Sequence, residues 1–135
     1  MTAQIADSLK TNNRGVSALE FALCLPVLLT ILFGILEYGW FFVNQIVLIN
    51  SVSAGARAGI KANIMRGDDP IQLAIDTTRN TFWLPGSLNV SATVSDDEPV
   101  KLRVVAHIRF EPLTGYLPSQ LLPSRIAAKA VLVFP

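Results

Sequence analysis

Residues 15–43 read GVSALEFALCLPVLLTILFGILEYGWFFV. The run contains no charged side chain from Phe21 to Leu36, and beyond Glu37 it resumes with several aromatic residues. As an α-helix, residues 21–43 would extend about 34 Å at 1.5 Å per residue, which is enough to cross a bilayer core of roughly 30 Å. The stretch therefore predicts a membrane-spanning helix.

Basic residues on the two sides of this run predict its orientation. Lys10 and Arg14 precede it, whereas the first basic residue after it is Arg57. Because basic residues favour the cytoplasmic side, we expect the N-terminus in the cytoplasm and most of the chain outside. A cleaved secretory signal is the alternative, but its apolar core is shorter, and the first small-residue site here, residues 54–56, lies far downstream.

Composition agrees with a membrane protein that has a small extracytoplasmic domain. The chain has 135 residues, of which 16% are charged, and its net charge is +1. Its mean hydropathy, +0.46, is high for a soluble domain of this size. The near-neutral charge does not suggest a nucleic-acid-binding protein. Cys24, the single cysteine, lies in the apolar run and is interpreted as an apolar packing residue, with palmitoylation as the alternative.

Helical periodicity continues beyond Val43 and predicts one helix from about Val16 to about residue 65. Residues spaced by three or four positions mark one face of this helix: Ile46, Ile49, Ser53, Ala56, Ile60 and Ile64.

Gly55 and Gly59 lie four residues apart, so they allow a second backbone to approach closely. They predict either a helix crossing between subunits or tight packing of the chain's own sheet on the helix. The second interpretation is favoured, because Arg57 and Lys61 interleave with the glycines.

The rest of the chain predicts a small α+β head. Asp69 and Pro70 begin a second helix that runs to Phe82. Apolar and polar residues alternate over residues 88–94 and 100–108, which predicts a hairpin with one apolar face, and residues 127–134 predict a third strand. The expected fold class is α+β: a long N-terminal transmembrane helix, and a head of one further helix and a three-stranded antiparallel sheet. The apolar loop at residues 110–124 is expected to pack on the head.

The junction between the basic leader and the apolar run resembles a known processing signal. Gly15 is followed after four residues by Glu20 and then by Phe21. This order resembles the type IVb (Flp-type) prepilin signal. The resemblance implies that a membrane prepilin peptidase cuts after Gly15, which makes residues 1–15 a leader and Val16 the new N-terminus.

Further motifs narrow the resemblance. Residues 15–23 (GVSALEFAL), 34–39 (GILEYG), 54–59 (AGARAG) and 110–113 (FEPL) are similar to TadE-like pseudopilins. This implies a minor pilin or pseudopilin of a tight-adherence (Flp) pilus system. The implied partners are the prepilin peptidase, other pilins and minor pilins, and the inner-membrane assembly platform. The implied location is the bacterial inner membrane with a periplasmic head, or incorporation into an extracellular pilus.

The resemblance divides the chain into a leader (1–15), a transmembrane and assembly helix (16–43) and an extracytoplasmic head (44–135). The alternative function is an uncleaved single-pass inner-membrane anchor with a periplasmic binding domain.

Two acids interrupt the apolar helix. A carboxylate in hydrocarbon is costly, so Glu20 is interpreted as an assembly residue that pairs with the α-ammonium created at Val16, four residues before it. The alternative is that Glu20 reaches water at the headgroup boundary. Glu37, beside Tyr38, is interpreted as a solvated anchor at the outer interface, with a packing partner in the assembly as the alternative.

Nothing in the sequence suggests catalysis, and neither a cofactor nor a metal ion is expected. The pattern contains no nucleophile–base arrangement and no phosphate loop. His107 has no second histidine with which to share a metal ion. The basic positions Lys101, Arg103 and Arg109 on the second strand are interpreted as a solvated face, with DNA or an acidic polysaccharide as alternative ligands.

Overall fold

The computed structural model describes residues 2–62, 67–95 and 97–134, and their side chains from residue 15 onward except that of Ser119. The predicted α+β class is confirmed. A short 3-10 turn, Ser119–Leu121, lies between the second and third strands. The main elements in chain order are helix α1 (Thr2–Ile60), helix α2 (Pro70–Thr81) and strands β1 (Leu88–Val94), β2 (Lys101–Arg109) and β3 (Arg125–Val133).

The contacts within the chain define two compact units, residues 1–36 and 37–135. The first unit is the N-terminal part of α1, and its side chains from residue 15 to residue 32 are all exposed. The helical stretch Gly15–Ile60 is long and apolar enough to cross a membrane. The predicted transmembrane-type helix is therefore present.

The bounds of α1 differ from the prediction. The helix begins at Thr2, well before Val16, and ends at Ile60 instead of near residue 65. After Ile60 the backbone tightens, because the N–H groups of Lys61 and Ala62 donate to carbonyls only three residues back, at 3.1 and 3.2 Å. Residues 63–66 lie outside the described part of the chain, and so does the predicted face position Ile64.

The buried face of α1 is only partly the predicted one. Ala56 is buried as expected, but Ile46 and Ile49 are 58% and 45% exposed. Glycine, alanine and serine recur on the buried face of α1 and let α2 and the sheet come close. The larger Ile46 and Ile49 lie outside this face. Beyond Phe41, the buried positions of α1 are Asn44, Leu48, Ser51, Val52, Gly55, Ala56 and Gly59.

The sheet is antiparallel with the order β1-β2-β3. Inward side chains of β2 alternate with exposed ones, as the predicted period of two requires. The core joins this inner face to α1 and α2 and includes Leu48, Val52, Ala56, Ala74, Leu102, Val104, Ala106, Ile108 and Ile126. The opposite face of the sheet carries the exposed, mostly polar positions.

Local signals explain where α2 begins and how the long loop packs. The Asp69 carboxylate accepts a hydrogen bond from the Ile71 N–H at 2.9 Å, so it caps the helix start as predicted. In the loop between β2 and β3, Phe110 and Leu122 are buried, whereas Leu113 is exposed. Leu117, in the middle of the loop, is half-buried against the core, so the expectation of a packed loop is confirmed except for Leu113 and its exposed neighbours.

Candidate functional site

Glu37 is completely buried at the start of the second unit. Its Oε2 accepts from the N–H of Leu113 at 2.9 Å, and its Oε1 accepts from the N–H groups of Thr114 and Gly115 at 2.7 and 3.0 Å. The Thr114 hydroxyl also donates to Oε1. An ionised carboxylate only accepts hydrogen bonds, so four donors suit it. The interpretation of Glu37 as a solvated anchor is therefore wrong.

The donors converge because of the local backbone. Gly115 has a φ of +65°, a left-handed conformation that glycine adopts without steric cost. Three successive N–H groups in such a turn form a concave site for an anion. The Tyr116 N–H donates to the Thr114 hydroxyl oxygen at 3.3 Å and so orients that side chain. We call residues 113–115 the carboxylate-binding turn.

Neighbouring α1 residues hold the same loop. The Tyr38 hydroxyl donates to the Leu121 carbonyl at 2.9 Å, and the Trp40 Nε1–H donates to the Glu111 carbonyl at 3.3 Å. The Phe41 ring meets the Phe110 ring edge-to-face, with centroids 5.6 Å apart. Positions 37–41 of α1 therefore attach the β2–β3 loop by polar and aromatic contacts together.

Sequence reasoning missed these partners of Glu37 for a physical reason. Three of the four donors are backbone N–H groups, which every residue except proline carries, so no residue type marks them. The available signals were an acid in an apolar run with no base nearby, and the Thr114–Gly115 pair in an apolar loop.

Gly55 and Gly59 lie against α2 of the same chain. A Cβ built on Gly55 would overlap the Thr78 side chain and lie 2.5 Å from the Ala74 carbonyl oxygen. A Cβ on Gly59 would overlap Leu102 of β2 and lie 2.9 Å from the Pro70 carbonyl oxygen. The two glycines thus receive α2 chiefly, and the sheet contributes one contact at Gly59.

The residues of the predicted processing junction lie in the first unit, on α1. Gly15 has no atom within 4 Å of the place where a Cβ would stand. Val16 and Phe21 are 52% and 64% exposed, and Glu20 is exposed as well. Across the described residues, the Glu20 carboxylate forms no hydrogen bond and no ion pair. The two acids of the apolar helix therefore have opposite environments.

Comparison with known families identifies this N-terminal region. Residues 15–57 match the model of a family described as TadE-like protein. Over this stretch, about a third of the chain, the sequence is similar to that family. The match begins at Gly15 and includes Glu20, Glu37 and Gly55, which confirms the resemblance carried by residues 15–23 and 34–39. The motif at residues 110–113 lies outside the match. Comparisons with the curated proteins and with the solved structures found no match.

The TadE-like region gives the arrangement a biological setting. The match is consistent with a TadE-like protein of the tight-adherence (Flp) pilus system, and the apolar helix fits a membrane-anchored protein. Within the described part of the chain, no three His, Cys, Asp or Glu side chains are grouped to hold a metal ion. His107 and Cys24 are both exposed.

Proposed function

We propose that this TadE-like chain is a minor pilin or pseudopilin of a tight-adherence pilus, and that a prepilin peptidase removes residues 1–15. One observation carries the proposal: on the apolar helix, Glu20 is exposed and has no partner among the described side chains, and it lies five residues after Gly15, where the family match begins. A carboxylate left without a partner in an apolar segment marks a contact that is made elsewhere.

Cleavage after Gly15 supplies a partner for Glu20. The new α-ammonium at Val16 lies one helical turn away, a rise of about 6 Å for four residues. Residues four apart share a helix face, so the two charges can pair within one subunit or between neighbours. In an apolar environment a matched pair costs far less than a lone carboxylate, and a pair between subunits sets their axial register.

Assembly then needs the helix to leave the lipid. The exposed side chains from residue 15 to residue 32 are mostly apolar, and a bundle of pilin helices is as apolar as lipid tails. Transfer from one to the other therefore costs little. In this proposal the N-terminus faces the cytoplasm and the head lies in the periplasm. The assembly platform and other pilins are the partners.

Intact-mass measurement of the membrane-extracted protein tests the processing step. In cells with the peptidase we expect the mass of residues 16–135, and in cells without it the full-length mass. Gly15→Leu should leave the precursor uncut because the peptidase must accommodate a small residue there, whereas Gly15→Ala is the matched control and should still be cut. Full-length wild-type protein in peptidase-positive cells would contradict the proposal.

Replacing Glu20 separates processing from assembly. Glu20→Gln keeps the shape of the side chain and removes its charge, so we expect normal cleavage but a loss of piliation, scored by pilus counts in electron micrographs. Glu111→Gln, at an exposed acid of the head, is the control and should give the wild-type number of pili. Normal pilus numbers in Glu20→Gln would remove the proposed role of this carboxylate.

The second candidate is an uncleaved single-pass anchor with a periplasmic binding domain. The observation that favours it is that residues 37–135 form a compact unit with their own core. The same mass measurement distinguishes the candidates, because only the anchor retains residues 1–15 when the peptidase is present.

A further inference from the structure

The outward face of the sheet is strongly basic. None of the ten Asp and Glu residues of the chain lies in the three strands, whereas five of its eleven Lys and Arg residues do. All five occupy exposed positions of the burial patterns of β2 and β3. They are Lys101, Arg103, Arg109, Arg125 and Lys129. We call this surface the basic face.

Arg109 and Arg125 stand directly opposite each other in the β2–β3 register. Like charges at opposed positions destabilise a sheet. Neither guanidinium group forms an ion pair or a hydrogen bond with any other described residue. The pair therefore brings repulsion that the described part of the chain does not compensate, and an external anion would relieve it.

The surroundings of the two arginines suit such an anion. They line a depression whose other walls are mostly polar side chains, namely those of Ser87, Asn89, His107 and Ser124. A guanidinium group donates two parallel hydrogen bonds to a carboxylate or a sulfate, and hydroxyl and amide groups can add further donors.

Acidic groups near the basic face are few and lie at its margins. Asp97 and Glu98 are in the turn before Lys101, at the opposite end of β2, and Asp96 is outside the described residues. Glu111 lines a neighbouring depression with Arg109 but forms no ion pair with it. The positive potential is therefore centred on the Arg109–Arg125 end.

The dimensions of the basic face indicate an extended ligand. Positions 101 to 109 of β2 span about 27 Å at 3.4 Å per residue. Lys129 lies opposite Val105, midway between the two ends of β2, so positively charged side chains occur along the whole length of the basic face. Single-stranded nucleic acid binds by stacking its bases on aromatic side chains. No Phe, Tyr or Trp lies in the three strands, and His107 is the one outward ring on which a base could stack.

We propose that the basic face binds an acidic polysaccharide, a linear polymer with carboxylate or sulfate groups on its sugar rings, and that Arg109 and Arg125 form the principal anion site. This inference does not depend on cleavage after Gly15, because all the residues involved belong to the second unit. A failure of the processing experiment would therefore leave it standing, and the reverse also holds.

A binding measurement with a defined polymer tests the proposal. Full-length protein in phosphatidylcholine nanodiscs, whose lipid carries no net charge, is titrated with polygalacturonate and with the neutral polymer dextran. We expect binding to polygalacturonate only, weakening as salt rises because screening shortens the range of surface charges to roughly 10 Å at 0.1 M. Absence of polygalacturonate binding at low salt, or equal binding of dextran, would overturn the proposal.

Two charge-matched double variants locate the site. Arg109→Gln with Arg125→Gln should weaken polygalacturonate binding about tenfold or more, because hydrogen bonds to charged groups are lost. Arg57→Gln with Arg79→Gln removes the same net charge from exposed positions on α1 and α2 and should bind nearly as wild type. Equal loss in both would show that only net charge matters and would refute the site.

Two further readouts complete the test. The Arg109/Arg125 variant should keep or raise the melting temperature of the head, since it removes a repulsive pair. A fall in melting temperature that parallels the loss of binding would instead indicate a structural role. An oligothymidylate of matched charge number should bind more weakly than polygalacturonate at the same salt. Tighter binding of the oligonucleotide would refute the polysaccharide in favour of nucleic acid.

Discussion

Glu20 and Glu37 are both carboxylates within the apolar part of α1, yet their environments are opposite. Glu37 is fully buried and receives four hydrogen bonds from the carboxylate-binding turn, whereas Glu20 is exposed and has no partner in the described part of the chain. A buried acid with a complete set of donors is part of the fold. An acid without a partner is available to another molecule, or to a new N-terminus.

Removing the Glu37 carboxylate should loosen the β2–β3 loop. Glu37→Ala leaves three backbone N–H groups without their acceptor, and a loss of about 1 kcal/mol for each predicts that the head is destabilised by about 3 kcal/mol. Hydrogen exchange measured by mass spectrometry should show faster exchange at residues 113–115. The control Glu111→Ala, at an exposed acid, should leave exchange unchanged. Unaltered protection in Glu37→Ala would contradict a stabilising role.

At the scale of elements, the crossing of α1 and α2 depends on glycine. Gly55 lies under Ala74 and Thr78 of α2, and the Thr78 hydroxyl donates to the Ala74 carbonyl at 2.7 Å, so the Thr78 side chain and the α2 backbone both lie directly against Gly55. Because Leu102 of β2 meets Gly59, the same face of α1 also receives the sheet. The small residues of this stretch are thus used within the chain.

A single methyl group at Gly55 should push α2 away. Its Cβ would lie 2.5 Å from the Ala74 carbonyl oxygen, a backbone atom that moves only with the helix. We expect Gly55→Ala to destabilise the head by about 2 kcal/mol or more, as overpacking does, measured by denaturant unfolding or protease resistance. Gly39→Ala is the control, because no atom lies within 4 Å of its Cβ position, and it should be neutral or slightly stabilising. Equal stability of both variants would be inconsistent with the close crossing.

At the scale of the whole molecule, the chain forms two units with different structural support. The described side chains of the first are mostly exposed, whereas the second has a buried core of its own. A membrane supports an apolar helix without tertiary contacts, because the helix satisfies its own backbone hydrogen bonds. Damage to the head should therefore leave the anchor intact.

Charges placed in the core should unfold the head without preventing membrane insertion. Leu102 and Val104 are fully buried, so replacing both by Asp introduces two unpaired buried carboxylates. We expect the variant to stay in the membrane fraction after alkaline extraction, while its head becomes sensitive to protease. Asn89→Asp with Thr93→Asp adds the same charge on exposed positions of β1 and should remain protease-resistant. Release of the core variant from the membrane would show that anchoring needs the folded head.

The sequence by itself determined the apolar helix, α2, the three strands and the TadE-like resemblance. These features are local: hydropathy over a single run, a period of two in strands, a capping Asp69 and short motifs in a fixed order. A segment of chain carries such patterns before any long-range contact forms.

Only the tertiary structure decided which face of α1 is buried, what binds Glu37 and which cations lie together. Ile46 is more apolar than Gly55, yet the glycine is buried, because the closeness of α2 favours a small residue over a hydrophobic one. The donors to Glu37 lie 76 to 78 residues away, and Arg125 meets Arg109 only through the β2–β3 register. Backbone donors and strand register carry no residue-type pattern, so they become visible only once the chain is folded.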